Sequence, residues 1–200
     1  MKYRASILTA FVLGLFTASA APIIAYNEGG TSASTAATGL VGFNFTVNTN
    51  ISVTQLGWYG EAVGGGDTPW VAIYNTANST AALASITTGY TTTPGWQYQS
   101  LGTPITLTTG NTYQVVATLY WTQKFNPASF TYAGEINAVG FTTPGGWSGW
   151  GTPVMATNGT TSTPSIAANF KYDVVPEPST CALLLMGLGA ALLYRRPLHS

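Results

Sequence analysis

Residues able to do acid–base, nucleophilic or metal chemistry are scarce in this 200-residue chain: six Lys and Arg, six Asp and Glu, one His and one Cys. The single histidine, His199, stands beside the C-terminus, and the single cysteine, Cys181, opens an apolar run. Between the two ends no Ser-His or Cys-His nucleophile pair can be assembled. A zinc set of Cys and His is equally out of reach. Glu28, Glu61, Asp67 and Glu135 could supply a glycosidase acid/base pair, which holds two carboxyls about 5–9 Å apart. Nothing in their spacing brings a particular two together. The expectation is a protein that is not an enzyme, with acids scattered over its surface.

Binding chemistry is better represented. Trp147-Ser148-Gly149-Trp150 places two indoles in a Gly-rich loop between Pro144 and Pro153. An exposed indole offers a flat apolar face to the C–H face of a sugar ring and an N–H donor beside it. Local packing of the same pair is the alternative. Trp58, Trp70, Trp96 and Trp121 fall in or beside strand-like runs and read as core. The loop from Glu61 to Asp67, with Gly64, Gly65 and Gly66 between, carries two carboxylates. Calcium takes six to eight oxygens, and this loop lacks the regular Asp spacing of dedicated motifs. The expectation is no cofactor, with calcium at Glu61 and Asp67 as the alternative. Asn44, Asn50, Asn78 and Asn158 each begin an N-x-Ser/Thr triplet, which so high a Thr content produces by chance.

The elements that must position these residues are strands. Phe43, Phe45 and Val47 alternate with Asn44 and Thr46, and Ile51 and Val53 continue the alternation. Tyr113, Val115, Ala117 and Leu119 share one face, as do Ile166, Ala168, Phe170 and Tyr172. Period-2 patterning in short runs rich in β-branched and aromatic residues marks half-buried strands. Turn signals separate them: Gly64-Gly65-Gly66-Asp67, Thr93-Pro94-Gly95, Thr109-Gly110-Asn111 and Pro144-Gly145-Gly146. No sustained 3.6-residue period appears between the ends. The pattern predicts one all-β domain over residues 21–175, an antiparallel β-sandwich or jelly roll. Without a disulfide it must hold together by packing.

Both ends are apolar and flanked by cations. Lys2 and Arg4 precede the apolar residues 5–16, and Ala18 and Ala20 supply the small side chains of a signal-peptidase site. The expectation is a secretion signal over 1–20, since a spanning helix needs about 20 residues. At the other end, Pro176-Glu177-Pro178 leads into an uncharged Leu/Ala run over 181–194, followed by Arg195-Arg196. Clustered Arg predicts that side stays cytoplasmic, leaving the domain on the periplasmic side of the inner membrane. Cys181 reads as a small apolar member of this hydrophobic helix, with lipidation as the alternative. Four of the six cations lie in these ends, so the exported part keeps only Lys124 and Lys171. A nucleic-acid surface needs a basic patch, and none can be built.

Pro176-Glu177-Pro178, the apolar run and Arg195-Arg196, in that order, resemble the PEP-CTERM sorting signal of Gram-negative bacteria. The resemblance covers residues 176–200 and implies that exosortase, a membrane protease-transpeptidase, is the processing partner. Pro176, Glu177 and Pro178 would then be the recognised residues. The extension Pro197-Leu198-His199-Ser200 departs from the family, which stops soon after the arginines. Carriers of this tail are associated with extracellular polysaccharide and biofilm.

A second resemblance covers about residues 40–121. Val53-Thr54-Gln55-Leu56-Gly57, Val71-Ala72-Ile73-Tyr74, Leu83-Ala84-Ser85 and Leu107-Thr108-Thr109-Gly110-Asn111-Thr112-Tyr113 follow one another as in a domain of unknown function common in PEP-CTERM proteins. It implies a β-sandwich, an L-x-x-G-x-T-Y hairpin and no catalytic residue. The expected function is a structural or adhesive protein of the cell surface or extracellular matrix. The alternative is a carbohydrate-binding module that grips exopolysaccharide through Trp147 and Trp150.

Overall fold

A computed structural model of the chain describes residues 21–29, 33–36, 39–60, 70–78, 81–87, 95–119, 123–126, 129–142, 160–161, 167–176, 184 and 186–189. Between residues 21 and 176 these form strands and turns only. In chain order the strands are β1 (Ile23–Ile24), β2 (Tyr26–Gly29), β3 (Ala33–Ala36), β4 (Gly39–Val47), β5 (Ile51–Gly60), β6 (Trp70–Asn75) and β7 (Ala84–Thr87). Then follow β8 (Gly95–Leu107), β9 (Thr112–Leu119), β10 (Gln123–Asn126), β11 (Ser129–Tyr132), β12 (Ile136–Thr142), β13 (Thr160–Thr161) and β14 (Ala168–Val174). The all-β antiparallel expectation holds.

Six of the ladders nest, each inside the one before it. β1 pairs with β14, β2 with β11, β3 with β10, β4 with β9, β5 with β8 and β6 with β7, all antiparallel. That is one long hairpin folded over on itself, with β12 and β13 inserted before the last strand. Folding over yields two principal sheets, ordered β1-β14-β5-β8 and β13-β12-β4-β9-β6-β7. First strand beside last, with β4–β5–β6 and again β7–β8–β9 alternating between the two sheets, is the jelly-roll order. β2–β11 and β3–β10 form separate two-stranded ladders.

The core lies between the two sheets. Val41, Phe43, Phe45 and Val47 of β4 meet Ile51, Val53, Leu56 and Trp58 of β5 and Phe170 and Tyr172 of β14 in one cluster. Phe45 and Phe170 hold it together from opposite sheets, with ring centroids 5.0 Å apart. Each such side chain contributes about 1.5–3 kcal/mol by leaving water. Along β5 the inward positions change from odd to even numbers, Val53 then Leu56. Thr54 is the reason: it has no Cα partner on β14 or β8, where both registers shift. A bulge adds one residue and turns the following side chains over.

Two expectations need correction. Residues 113–118 are all buried, not half-buried. The inward residues Tyr113, Val115 and Ala117 belong to the main core, while Val116 joins Leu40, Ala72 and Tyr74 in a second cluster with Ala82 against it. The central strands of the larger sheet are therefore covered on both faces. The L-x-x-G-x-T-Y segment, moreover, is no hairpin, because β8 and β9 belong to different sheets. Thr108–Asn111 carries the chain across the core. Gly110 sits at φ +82, where a side chain is strained, and the Tyr113 hydroxyl accepts from Thr108 N at 2.9 Å and donates to Thr108 O at 3.2 Å. This is a tyrosine corner.

Candidate functional site

The strand that leads to the C-terminal tail is an interior strand. β14 alternates Phe170 and Tyr172 inward with Lys171 and Asp173 outward, and it lies between β1 and β5. Tyr172 is fully buried, and its hydroxyl donates to Glu135 Oε2 at 2.7 Å. Burial, followed by that hydrogen bond and the carboxylate's charge, raises the Tyr172 phenol far above its ordinary value. Lys171 holds its ammonium 4.2 Å from the Tyr98 ring centroid. That ring lies across Gly57, where a Cβ would meet its Cδ1 at 2.5 Å.

Past Val174 the chain leaves the sheet within two residues. Val174 faces Ile51 and is exposed. Val175 N donates to Asn50 O at 2.9 Å, and Pro176 is exposed. Asn50 holds a second element at the same point, because its Oδ1 accepts from Thr109 N at 3.1 Å. Asn48 Nδ2 donates to Gly134 O at 3.0 Å, and Asn137 Nδ2 donates to Asn48 Oδ1 at 2.6 Å. Short turns latched by asparagine amides thus surround the exit of the tail. The start of the domain is there too, since Ile23 pairs with Tyr172 and Ile24 with Lys171.

Residues 174–196 match the PEP-CTERM protein-sorting motif. The chain carries an exosortase sorting signal. No curated protein matches the chain. The matched span contains Pro176, Glu177, Pro178, Arg195 and Arg196, and its first residue, Val174, is also the last residue of β14. The PEP-CTERM motif identifies an exported protein that is anchored in the membrane for sorting and then processed by exosortase. Within it, residues 184 and 186–189 are helical, and Leu184, Met186 and Leu188 are exposed. Among the described residues no helix is long and apolar enough to cross a membrane.

The other sequence-derived candidates divide cleanly. Ala18, Ala20, Trp147, Trp150, Glu61, Asp67, Glu177, Pro178, Arg195 and Arg196 lie outside the described residues, as does Trp121. Of the four candidate acids, Glu28 lies in β2 opposite Phe130, and Glu135 sits in the turn before β12 bonded to Tyr172. Among the described residues no group of three or more His, Cys, Asp or Glu could hold a metal ion. Trp58 is buried in the core, and Trp96 is partly buried against it. Sequence reasoning missed Asn50, Tyr113 and the Tyr172–Glu135 bond. Only Tyr113 had a local signal, the Leu107–Gly110–Tyr113 spacing. Asn50 and Glu135 act through partners 59 and 37 residues away.

Proposed function

We propose that this protein is a non-catalytic structural or adhesive component of the cell surface or extracellular matrix, associated with exopolysaccharide and delivered by exosortase. The observation that carries the reading is the PEP-CTERM motif beginning directly at the last strand of a sparsely charged jelly roll. Residues 1–20 act as the secretion signal, cut after Ala20. Residues 181–194 hold the chain in the inner membrane, with the domain on the periplasmic side, until processing. The test is expression of the full chain in matched hosts with and without an exosortase. A shortened, surface-associated product with exosortase, and a membrane-held full-length chain without it, support the reading. Identical products in both hosts overturn it.

One observation favours a second reading, a carbohydrate-binding module. The chain forms a jelly roll, with β1 beside β14 and the core between two sheets, and jelly rolls are a frequent lectin scaffold. The sequence that follows β12 carries Trp147 and Trp150, whose indoles are of the type that stacks on sugar rings. A glycan array probed with residues 21–176, with and without calcium, separates the two. Binding that disappears in Trp147→Ala and Trp150→Ala favours the module. Calcium-dependent binding lost in Glu61→Gln or Asp67→Asn would add a metal at that loop.

A further inference from the structure

An extended peptide is commonly recognised through main-chain hydrogen bonds to a sheet edge, yet here the residues before the sorting motif are already a strand of the protein's own sheet. From Ala168 to Val174 the main chain is paired along β5, and at Lys171 and Tyr172 it is also paired with β1. The β1 ladder stops at Tyr172, so Asp173 and Val174 are held from the β5 side alone, and Val175 by Asn50 O. Side chains mark the same boundary. Val174 is exposed and Val175 half-buried, whereas Tyr172 is fully buried and bonded to Glu135. Residues 173–175 can peel away without emptying the core. Tyr172 cannot.

On the other side, only residues 176–180 separate Val175 from the apolar run that begins at Cys181. Five residues extend at most about 18 Å, and the polar layer on one side of a bilayer takes up roughly 5–8 Å of it. A folded domain on so short a leash stands almost against the headgroups. Access from the side is limited as well, because the turns at Asn48–Asn50, Thr108–Asn111 and Ala133–Glu135 ring the exit.

We propose that the folded jelly roll limits its own sorting: the closed strand β14 stops the membrane protease from gripping N-terminal to Asp173, and the five-residue spacer holds the domain close enough to slow cleavage. This rests on the exosortase reading above. The cut chain then keeps all of β14, and the released domain is as stable as the anchored one. The spacer, more than the Pro-Glu-Pro alone, sets the rate at which the protein is handed on.

The test inserts Gly-Ser spacers of about four and about eight residues between Val175 and Pro176 of the full chain, adding roughly 11 and 16 Å of reach. Processing is followed by pulse-chase in an exosortase-bearing host, and the new C-terminus is read by mass spectrometry. The expected result is several-fold faster conversion with the first insertion and little more with the second, with every product ending after Val175. Equal or slower conversion, or any product that ends at or before Val175, overturns the proposal. Failure of the sorting reading looks different: no chain of the series is cut, or cutting persists when Pro176, Glu177 and Pro178 are all changed to Ala.

Discussion

The two ends of the jelly roll are built differently. At the end where the tail leaves, the turns at residues 48–50, 108–111 and 133–135 are tied by asparagine, tyrosine or main-chain bonds, and Thr76 N donates to Thr112 O at 3.0 Å beside them. At the opposite end Gly60, Thr87 and Thr142 are the last described residues of β5, β7 and β12. Glu61, Asp67, Trp147 and Trp150 follow β5 and β12 in the sequence and lie outside the described residues. The contrast teaches that the tail leaves from the end of the fold whose turns are latched through Asn48, Asn50 and Tyr113.

The sharpest way to break that contrast is to move the point where the chain stops. A chain of residues 21–176 should unfold cooperatively like the full domain, whereas residues 21–167 should not fold, because β1 and β5 lose the strand between them. Circular dichroism and urea titration of the two fragments would decide it. Next in size is the core behind the exit. Phe170→Ala should cost about 3–5 kcal/mol of unfolding free energy, seen as a lower urea midpoint, because its ring bridges to Phe45 in the facing sheet.

Smaller effects sharpen the picture of the latched turns. Gly110→Ala at φ +82 should cost about 1–2 kcal/mol, and Tyr113→Phe about 1–2 kcal/mol through its lost hydroxyl bonds to Thr108. Thermal melts of both variants would measure this. If either is neutral, the corner does not hold the crossing. Alkaline pH probes the same region. Burial raises the phenols of Tyr74, Tyr132 and Tyr172, that of Tyr132 from 10.0 to about 12. A phenol whose pKa rises on folding adds stability that is complete below about pH 10 and is lost as pH climbs through the folded value. Unfolding midpoints should hold steady to pH 10 and fall between 10 and 12, with a shallower fall in Tyr172→Phe. The smallest effect belongs to Lys171→Ala, about 0.5–1 kcal/mol from its contact with the Tyr98 ring.

Much of this could be read along the chain because it is local. Alternation in Phe43–Phe45–Val47 and in Ala168–Phe170–Tyr172 marks an inward face whichever sheet the strand joins, and the Pro-Glu-Pro tail is a linear signal. What stayed hidden has partners far along the chain. In the sequence Asn50 is only the start of a chance N-x-Ser triplet, whereas in the fold Val175 and Thr109 both bond to it. Glu135 looked like a scattered surface acid, yet it caps the last core tyrosine.

By itself the sequence determined strand periodicity, the poverty of reactive groups and the address of the protein, because each depends on neighbouring residues or on composition. Only the tertiary structure decided that β14 closes the smaller sheet between β1 and β5, that β8 and β9 part company at Gly110, and that the sorting motif starts flush with the fold. Sheet order is a choice among strands with similar alternating faces. It is settled by which faces bury one another and which turns can bridge the core, and no window along the chain contains that information.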